Sequence, residues 1–283
     1  MATFLTDVHT HSTFSPDGIS PLKEMVDTAV EQGVTFYGVS EHINYDLWVA
    51  EQEGRIPPEK YTDEEAYFHT ARHLQEDYAG VINLLVGAEF GYSDNPRALA
   101  MYQELIQKHR PDFVVNSIHA LDGVDYWNGT TFFKIVDGKK VERNKDEVYK
   151  EYLGLVLRSV QAEYDFDIIA HIGYPTRYAP YADKSMPYER YANEIDAVLK
   201  EIIARGKILE INASGEDMAW TLPPRKVVQR YFDLGGRKIS YASDAHSTKR
   251  VLNNRKETMA MLKEIGFTYI TVPCKGEHIK VEI

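Results

Sequence analysis

Short aliphatic and aromatic runs alternate along the chain with longer segments whose apolar positions recur every three or four residues. This is the alternation expected of βα units around a mostly parallel sheet. The runs Phe4 to Val8, Phe36 to Ser40, Ile82 to Gly87, Phe113 to Ser117, Phe166 to Ala170, Ile208 to Asn212 and Ile239 to Ala242 predict strands, with a further one at Tyr269 to Val272. Seven repeats and a tail predict a barrel-like ring. Between them, Ser20-Pro21 sets a capping residue before a first-turn proline, and Leu22, Met25, Val26, Ala29 and Val30 make one apolar stripe that stops at Gly33. Thr62 and Glu65 have capping-box spacing ahead of a helix to about Tyr78. Asp146 to Glu163, Tyr188 to Ala204, Pro224 to Leu234 and Arg255 to Ile265 predict later helices, two of them closed by Gly206 and Gly266.

Two stretches break the rhythm. Residues 43–61 are mixed and contain Pro57-Pro58, and residues 120–145 contain Asn128-Gly129 and Asp137-Gly138 around the run Thr131 to Val136, which reads as a hairpin. Both leave from strand ends, the side of a β/α ring where active sites form. Neither has the look of a separate domain, so residues 1–283 are expected to form a single domain.

Composition narrows the class. The 283 residues are 43% hydrophobic and 27% charged, with 32 Lys and Arg against 43 Asp and Glu for a net charge of −11. Disorder and a membrane-embedded body both fit poorly, and a phosphate-backbone footprint is a poor default for an acidic chain. No DNA, RNA or membrane partner is therefore expected. One cysteine, Cys274, excludes an internal disulfide, and the start Met1-Ala2-Thr3 shows no leader pattern, so the expected location is the cytoplasm. Asn128-Gly129-Thr130 matches a glycosylation acceptor that a cytoplasmic chain would not use. The helical faces carry no signature of a particular oligomeric state.

Of ten histidines, His9, His11, His42, His119, His171 and His246 fall at or just past the C-terminal end of a predicted strand, and so do Glu89 and Asp244, with Asp17 in the loop Phe14 to Gly18. His9 and His11, like Asp244 and His246, are two apart and project to one side. Six imidazoles and three carboxylates on one rim need compensating charge, and metal ions supply it. Nine donors at about three or four per ion imply two or three ions, and mixed nitrogen and oxygen donors suit zinc, manganese or iron. Clustered ions about 3.5–4 Å apart suit in-line attack of water on phosphorus, so hydrolysis of a phosphate ester is the expected chemistry. His69 and His73 belong to a solvated helix face, and His109 and His278 to ordinary structure.

The ordered set Asp7-Val8-His9-Thr10-His11-Ser12, Ser40-Glu41-His42, Gly87-Ala88-Glu89, Ser117-Ile118-His119, Ala170-His171 and Ser243-Asp244-Ala245-His246 resembles the polymerase-and-histidinol-phosphatase (PHP) superfamily over essentially the whole chain. The resemblance implies a distorted (β/α)7 TIM-like barrel with a trinuclear metal site at the C-terminal rim. It implies a first ion on His9, His11, Glu89 and Asp244, a second on Glu89, His119 and His171, and a third on Asp17, His42 and His246, with Glu89 bridging the first two. Some members carry a histidine where this chain has Asp17, a swap that preserves ligation. The chain's length, with Asn116 to Gly123, Ile172 to Arg177 and Asn253-Asn254-Arg255, resembles the stand-alone histidinol-phosphatases, which release L-histidinol and phosphate in histidine biosynthesis.

On that resemblance, hydroxide between the first two ions attacks phosphorus, supported by Glu89, His9 and Asp244, with no covalent nucleophile. Arg177 and Arg255 are the expected phosphate forks, with Arg158, Ser117 and Trp127 as further substrate contacts. Phe132 and Tyr45 could shape the pocket, and Glu41 and Asn212 either orient ligand imidazoles or serve ordinary structure. The alternatives are a nucleic-acid or nucleotide phosphoesterase, told apart by turnover of oligonucleotides or nucleoside monophosphates, and a non-enzymatic metal-binding module, which would turn over neither.

Overall fold

In the computed structural model, which describes residues 4–121 and 123–283, the apolar runs lie side by side as seven parallel strands. Met1 to Thr3 and Asp122, both cited above, lie outside the described residues. The strands are Leu5–Asp7, Val34–Ile43, Asn83–Gly91, Val114–Ser117, Ile168–Ile169, Ile208–Asn212 and Ile239–Ala242, in sequence order around the sheet. A parallel bridge from Thr10 to Ala245 closes the ring, with His11 N–H donating to Ala245 O at 2.8 Å and Asp244 N–H to His9 O at 2.9 Å. The result is a near-closed, distorted barrel whose seam lies at its C-terminal rim. Inside it, Phe113 fills the space that Gly38 and Gly87 leave; a Cβ on Gly87 would meet its ring at 2.5 Å.

Helices α1 (Leu22–Glu31), α2 (Tyr45–Gln52), α3 (Glu64–Asp77), α4 (Pro96–His109), α5 (Lys145–Val160), α6 (Ala192–Ala204), α7 (Arg225–Asp233) and α8 (Arg255–Ile265) surround the strands. Ser20 does not cap α1; its Oγ accepts from Thr248 N–H instead. The cap of α3 is Asp63, which accepts from Ala66 N–H, while Thr62 turns its hydroxyl to His42 O. The sequence reading gives helix α4 no bounds although its start signals are present: Asn95 accepts from Arg97 and Ala98 N–H, and Pro96 opens the first turn. Beyond the seventh strand, Tyr269–Cys274 turns back through Lys275-Gly276 to pair antiparallel with Glu277–Glu282, a hairpin separate from the barrel sheet.

Tyrosines from three helices secure the strand ends. Tyr67 of α3 donates to Val39 O and Gly87 O, Tyr102 of α4 to Ile43 O and Gly91 O, and Tyr152 of α5 to His171 O at 2.7 Å. All three rings are fully buried, so each hydroxyl satisfies backbone carbonyls that water does not reach. Of the two excursions, residues 43–61 contain α2, and residues 120–145 hold a short hairpin (Ala120–Leu121 with Val124–Asp125) and a longer one (Phe133–Val136 with Lys139–Glu142). The longer one turns at Asp137-Gly138 with both residues left-handed, as its sequence requires. Among the described residues, no helix is long and apolar enough to cross a membrane.

Tyr152→Phe should destabilise the fold by about 1–3 kcal/mol, because His171 O and Gly173 N–H both lose a buried partner. Urea unfolding with an unchanged midpoint would contradict this role.

Candidate metal centre

Each barrel strand except the sixth brings one to three of the nine candidate ligands to the rim, directly or in the loop that follows. His9, His11 and Asp17 follow the first strand; His42 and Glu89 lie within the ends of the second and third; His119 and His171 follow the fourth and fifth; Asp244 and His246 follow the seventh. His171 and Asp244 hold left-handed backbone, with φ of 53° and 52°. Such conformations persist where the surroundings over-determine them, and here Tyr152 and the seam hydrogen bonds do so.

Glu89 is fully buried and central. Its Oε1 lies 3.3 Å from His9 Nε2, 3.2 Å from His119 Nε2 and 2.7 Å from His171 Nε2; its Oε2 lies 3.5 Å from His11 Nε2 and 2.6 Å from His42 Nδ1. Asp244 Oδ1 approaches His11 Nε2 at 3.4 Å and His9 Nε2 at 3.9 Å. At the mouth, Asp17 reaches His246 Nε2 at 3.1 Å and His42 Nε2 at 3.5 Å. These contacts form overlapping donor groups: His9-His11-Asp244, His9-Glu89-His171, His42-Glu89-His119 and His11-His42-His246.

The donor set fits cations. His9 and His11 turn Nε2 toward each other at 3.1 Å, as do His42 and His246 at 3.5 Å. His42 Nδ1 and Glu89 Oε2 are buried and close, yet neither makes a hydrogen bond. Facing imidazole nitrogens and an unbonded buried carboxylate oxygen are the arrangement a shared metal ion resolves. Burial pushes the Glu89 carboxyl up, but the imidazoles of His9, His119, His42 and His171 outweigh it and hold it well below the usual carboxylate range. For His11, burial and then the neighbouring His42 and His246 depress the imidazole well below its ordinary value, keeping it neutral and able to ligate.

Partners behind the donors fix their orientation. Glu210, on the sixth strand and absent from the sequence reading, accepts from His9 Nδ1 and from Asn212 Nδ2. Its position was legible: in Ile208-Leu209-Glu210-Ile211-Asn212, the acid and Asn212 fall on one face of a buried strand. Asn212 lies 3.0 Å from His171 Nδ1 and 3.1 Å from Asp244 Oδ2. Glu41 neither touches a ligand imidazole nor faces solvent; it is buried and accepts from the backbone N–H and hydroxyl of both Ser12 and Ser15. Because Ser15 gives its proton to Glu41, its oxygen accepts from His11 Nδ1, 3.2 Å away, which leaves His11 Nε2 bare toward the cluster.

The expected substrate contacts divide. Arg177 lines the mouth, its guanidinium held by Asn212 Oδ1 at 3.0 Å and Ser214 Oγ at 2.9 Å. Trp127 is exposed on the wall of the adjoining cavity. Ser117 instead donates to Glu89 Oε1 at 2.6 Å and so positions the central carboxylate. Arg158 faces outward from α5, whose other face is buried, and pairs with Asp94 on the surface. Arg255 opens α8 and turns toward Phe4 O, at the opposite end of the first strand from the donors. Phe132 is a core residue packed on Tyr126 and Tyr181, and Tyr45 bonds Glu64. Arg250, which the sequence reading lacks, joins Arg177 at the mouth, bonded to Ser214 O. His69 and His73 are exposed, His109 stacks on Phe68, and His278 lies near Asp167 and Lys238.

Comparison with known proteins agrees with this geometry. The PHP domain model matches residues 7–214. The chain is 26% identical to the histidinol-phosphatase of Lactococcus lactis, covering 92% of this chain and 91% of the relative. It is 27% identical to the "Probable histidinol-phosphatase" of Clostridium acetobutylicum, covering 90% and 91%. A crystal structure of the L. lactis histidinol phosphate phosphatase, complexed with zinc, L-histidinol and phosphate, superposes with a TM-score of 0.83 at 23% identity, covering 99% of this chain and 100% of that one.

Glu210→Gln should weaken metal retention by about 10- to 100-fold, measured by chelator competition, since it exchanges the charged carboxylate that orients His9 for a weaker, neutral acceptor. Arg158→Ala should leave retention unchanged, and equal retention in both variants would refute the role of Glu210.

Proposed function

The chain belongs to the PHP domain family, and on that premise we propose that it is a metal-dependent phosphomonoester hydrolase acting on L-histidinol phosphate, releasing L-histidinol and phosphate in histidine biosynthesis. The observation that carries this reading is a set of overlapping donor groups, two of which share the buried carboxylate Glu89, beside an arginine-lined mouth. The histidinol-phosphatases it resembles over about nine-tenths of their length, and the zinc, L-histidinol and phosphate bound by the L. lactis protein, support the substrate. We read residues 1–283 as a single PHP-type catalytic domain working in the cytoplasm, where the lone Cys274 stays reduced.

In this reading His9, His11, Glu89 and Asp244 hold one ion, Glu89, His119 and His171 a second, and Asp17, His42 and His246 a third, from among zinc, manganese and iron. Ions bound there would supply positive charge to the phosphoryl oxygens and would acidify an attacking water. The chain's own residues do the rest. Glu210 and Ser15 keep the Nδ1 protons of His9 and His11 pointed away from the cluster, so both Nε2 lone pairs face inward. Ser117 fixes the rotation of Glu89. Arg177, already oriented by Asn212 and Ser214, presents its guanidinium to a phosphoryl oxygen at no further ordering cost. The net charge of −11 favours a small phosphorylated metabolite over a nucleic acid.

Purified, metal-quantified protein should release phosphate from L-histidinol phosphate with kcat/KM above about 10⁴ M⁻¹s⁻¹. His9→Ala should abolish this, and Arg177→Ala should lower it more than about tenfold, the scale of one charge-assisted contact to phosphate. Absent turnover with two or three ions bound per chain would reject the substrate, and unchanged kinetics in the arginine variant would reject that clamp.

A further inference from the structure

Next to the donor cluster lies a larger cavity, about 680 Å³, that shares His42 and His119 with it. Its walls come from both strand-end excursions: Glu59 from the first, Asp125 and Trp127 from the second, with Tyr174 from the loop after His171. Setting aside Asp17, a candidate ligand at the mouth, the charged residues lining the cavity beyond the histidines are two carboxylates, Glu59 and Asp125, and one ammonium, Lys60. No arginine is among its described lining residues, whereas the neighbouring mouth of about 340 Å³ carries Arg177 and Arg250. The two chambers therefore differ in sign, one suited to an anion and the other to a cation.

Asp125 is the better defined of the two carboxylates. It pairs with Ala120 in the short hairpin directly after His119, and Tyr126 N–H donates to His119 O at 2.9 Å, so its backbone is tied to a donor-bearing segment. Its Oδ1 accepts from Trp127 N–H at 2.8 Å, which locks the side chain. Its Oδ2 receives no hydrogen bond among the described residues. A half-buried carboxylate with one oxygen pinned and the other open, beside Trp127 and Tyr174, suits an organic cation: the oxygen accepts an ammonium N–H and the rings take the adjoining flat or apolar part.

We propose that this cavity receives the leaving alcohol of the phosphoester and that Asp125, seconded by Glu59, selects alcohols bearing a protonated amine. The proposal rests on the phosphomonoesterase reading above and adds the determinant of its selectivity. Phosphate is gripped at the arginine-lined mouth, and discrimination occurs on the other side of the ester bond.

The test compares kcat/KM for L-histidinol phosphate with that for its deaminated analogue, 3-(imidazol-4-yl)propyl phosphate. The wild-type protein should prefer the amine-bearing ester by about tenfold or more, the scale of one charge-assisted hydrogen bond. Asp125→Asn keeps an acceptor for Trp127 N–H and should bring the preference toward unity, with Glu59→Gln giving a smaller change in the same direction. A preference that survives Asp125→Asn, or none in the wild type, overturns the proposal. Inhibition of the wild-type protein needs no variant: L-histidinol should inhibit p-nitrophenyl phosphate hydrolysis more strongly than 3-(imidazol-4-yl)propan-1-ol, and equal inhibition counts against the site. If histidinol phosphate is turned over no better than simple phosphomonoesters, the substrate reading fails separately. Selectivity is then measured on phosphoethanolamine against ethyl phosphate: a preference that Asp125→Asn removes sustains the cation site, and no preference overturns it.

Discussion

A carboxylate with no exposed surface, Glu89, sits within 3.5 Å of imidazole nitrogens carried by four other strand ends, and the rim is organised around that fact. Burying a lone carboxylate is prohibitive, and so is burying imidazolium cations without counter-charge. Each is tolerable only because the other is present, and the facing nitrogens make bound cations the natural completion of the set. This mutual dependence explains why the surrounding structure is so heavily hydrogen-bonded. Ser117, Ser15, Glu41, Glu210 and Asn212 are all buried or nearly so, and each bonds to a donor or to the segment that carries one.

The same requirement accounts for the barrel's construction. The seam between first and seventh strands passes through His9, His11, Asp244 and Ala245, so closing the ring and assembling the donor cluster are one event. Asp7 reinforces it, accepting from Ser243 N–H and Leu252 N–H. On the other side, Tyr67, Tyr102 and Tyr152 reach in from α3, α4 and α5 to strand-end carbonyls. A phenol on a packed helix bonds buried strand carbonyls without admitting water.

The strands were legible because each is an apolar run with punctuation, and the donors because a histidine or acid directly after such a run has few ordinary uses. What escaped was of two kinds. Helix α4 carries clear capping signals at Asn95-Pro96, yet its bounds were not drawn from them. Glu210 lies inside a strand rather than after it, so a search for residues past strand ends passes over it, although a carboxylate between buried Leu209 and Ile211 must have a partner. The arginines failed for a different reason. Sequence gives their position along the chain but not the direction of a long, flexible side chain, and Arg158 and Arg255 follow their local helices outward or downward. Arg177 reaches the mouth because Asn212 and Ser214 offer it acceptors there.

The fold divides its labour between strand ends and the excursions that follow them. The donors stand on strand ends fixed by ladder, seam and tyrosine bonds, as a cluster needs when small displacements would spoil ligation. The cavity beside them is walled by two excursions that leave the ends of the second and fourth strands, close to His42 and His119. Loops there can change composition without disturbing the strand-borne donors, because their hydrogen bonds to the barrel run through backbone atoms such as His119 O rather than through the ligand imidazoles. Phosphate handling is thereby insulated from recognition of the alcohol. A chain of this architecture can alter which ester it accepts by substituting residues such as Asp125 and Trp127, while Glu89 and its histidines stay under constraints that permit almost no change.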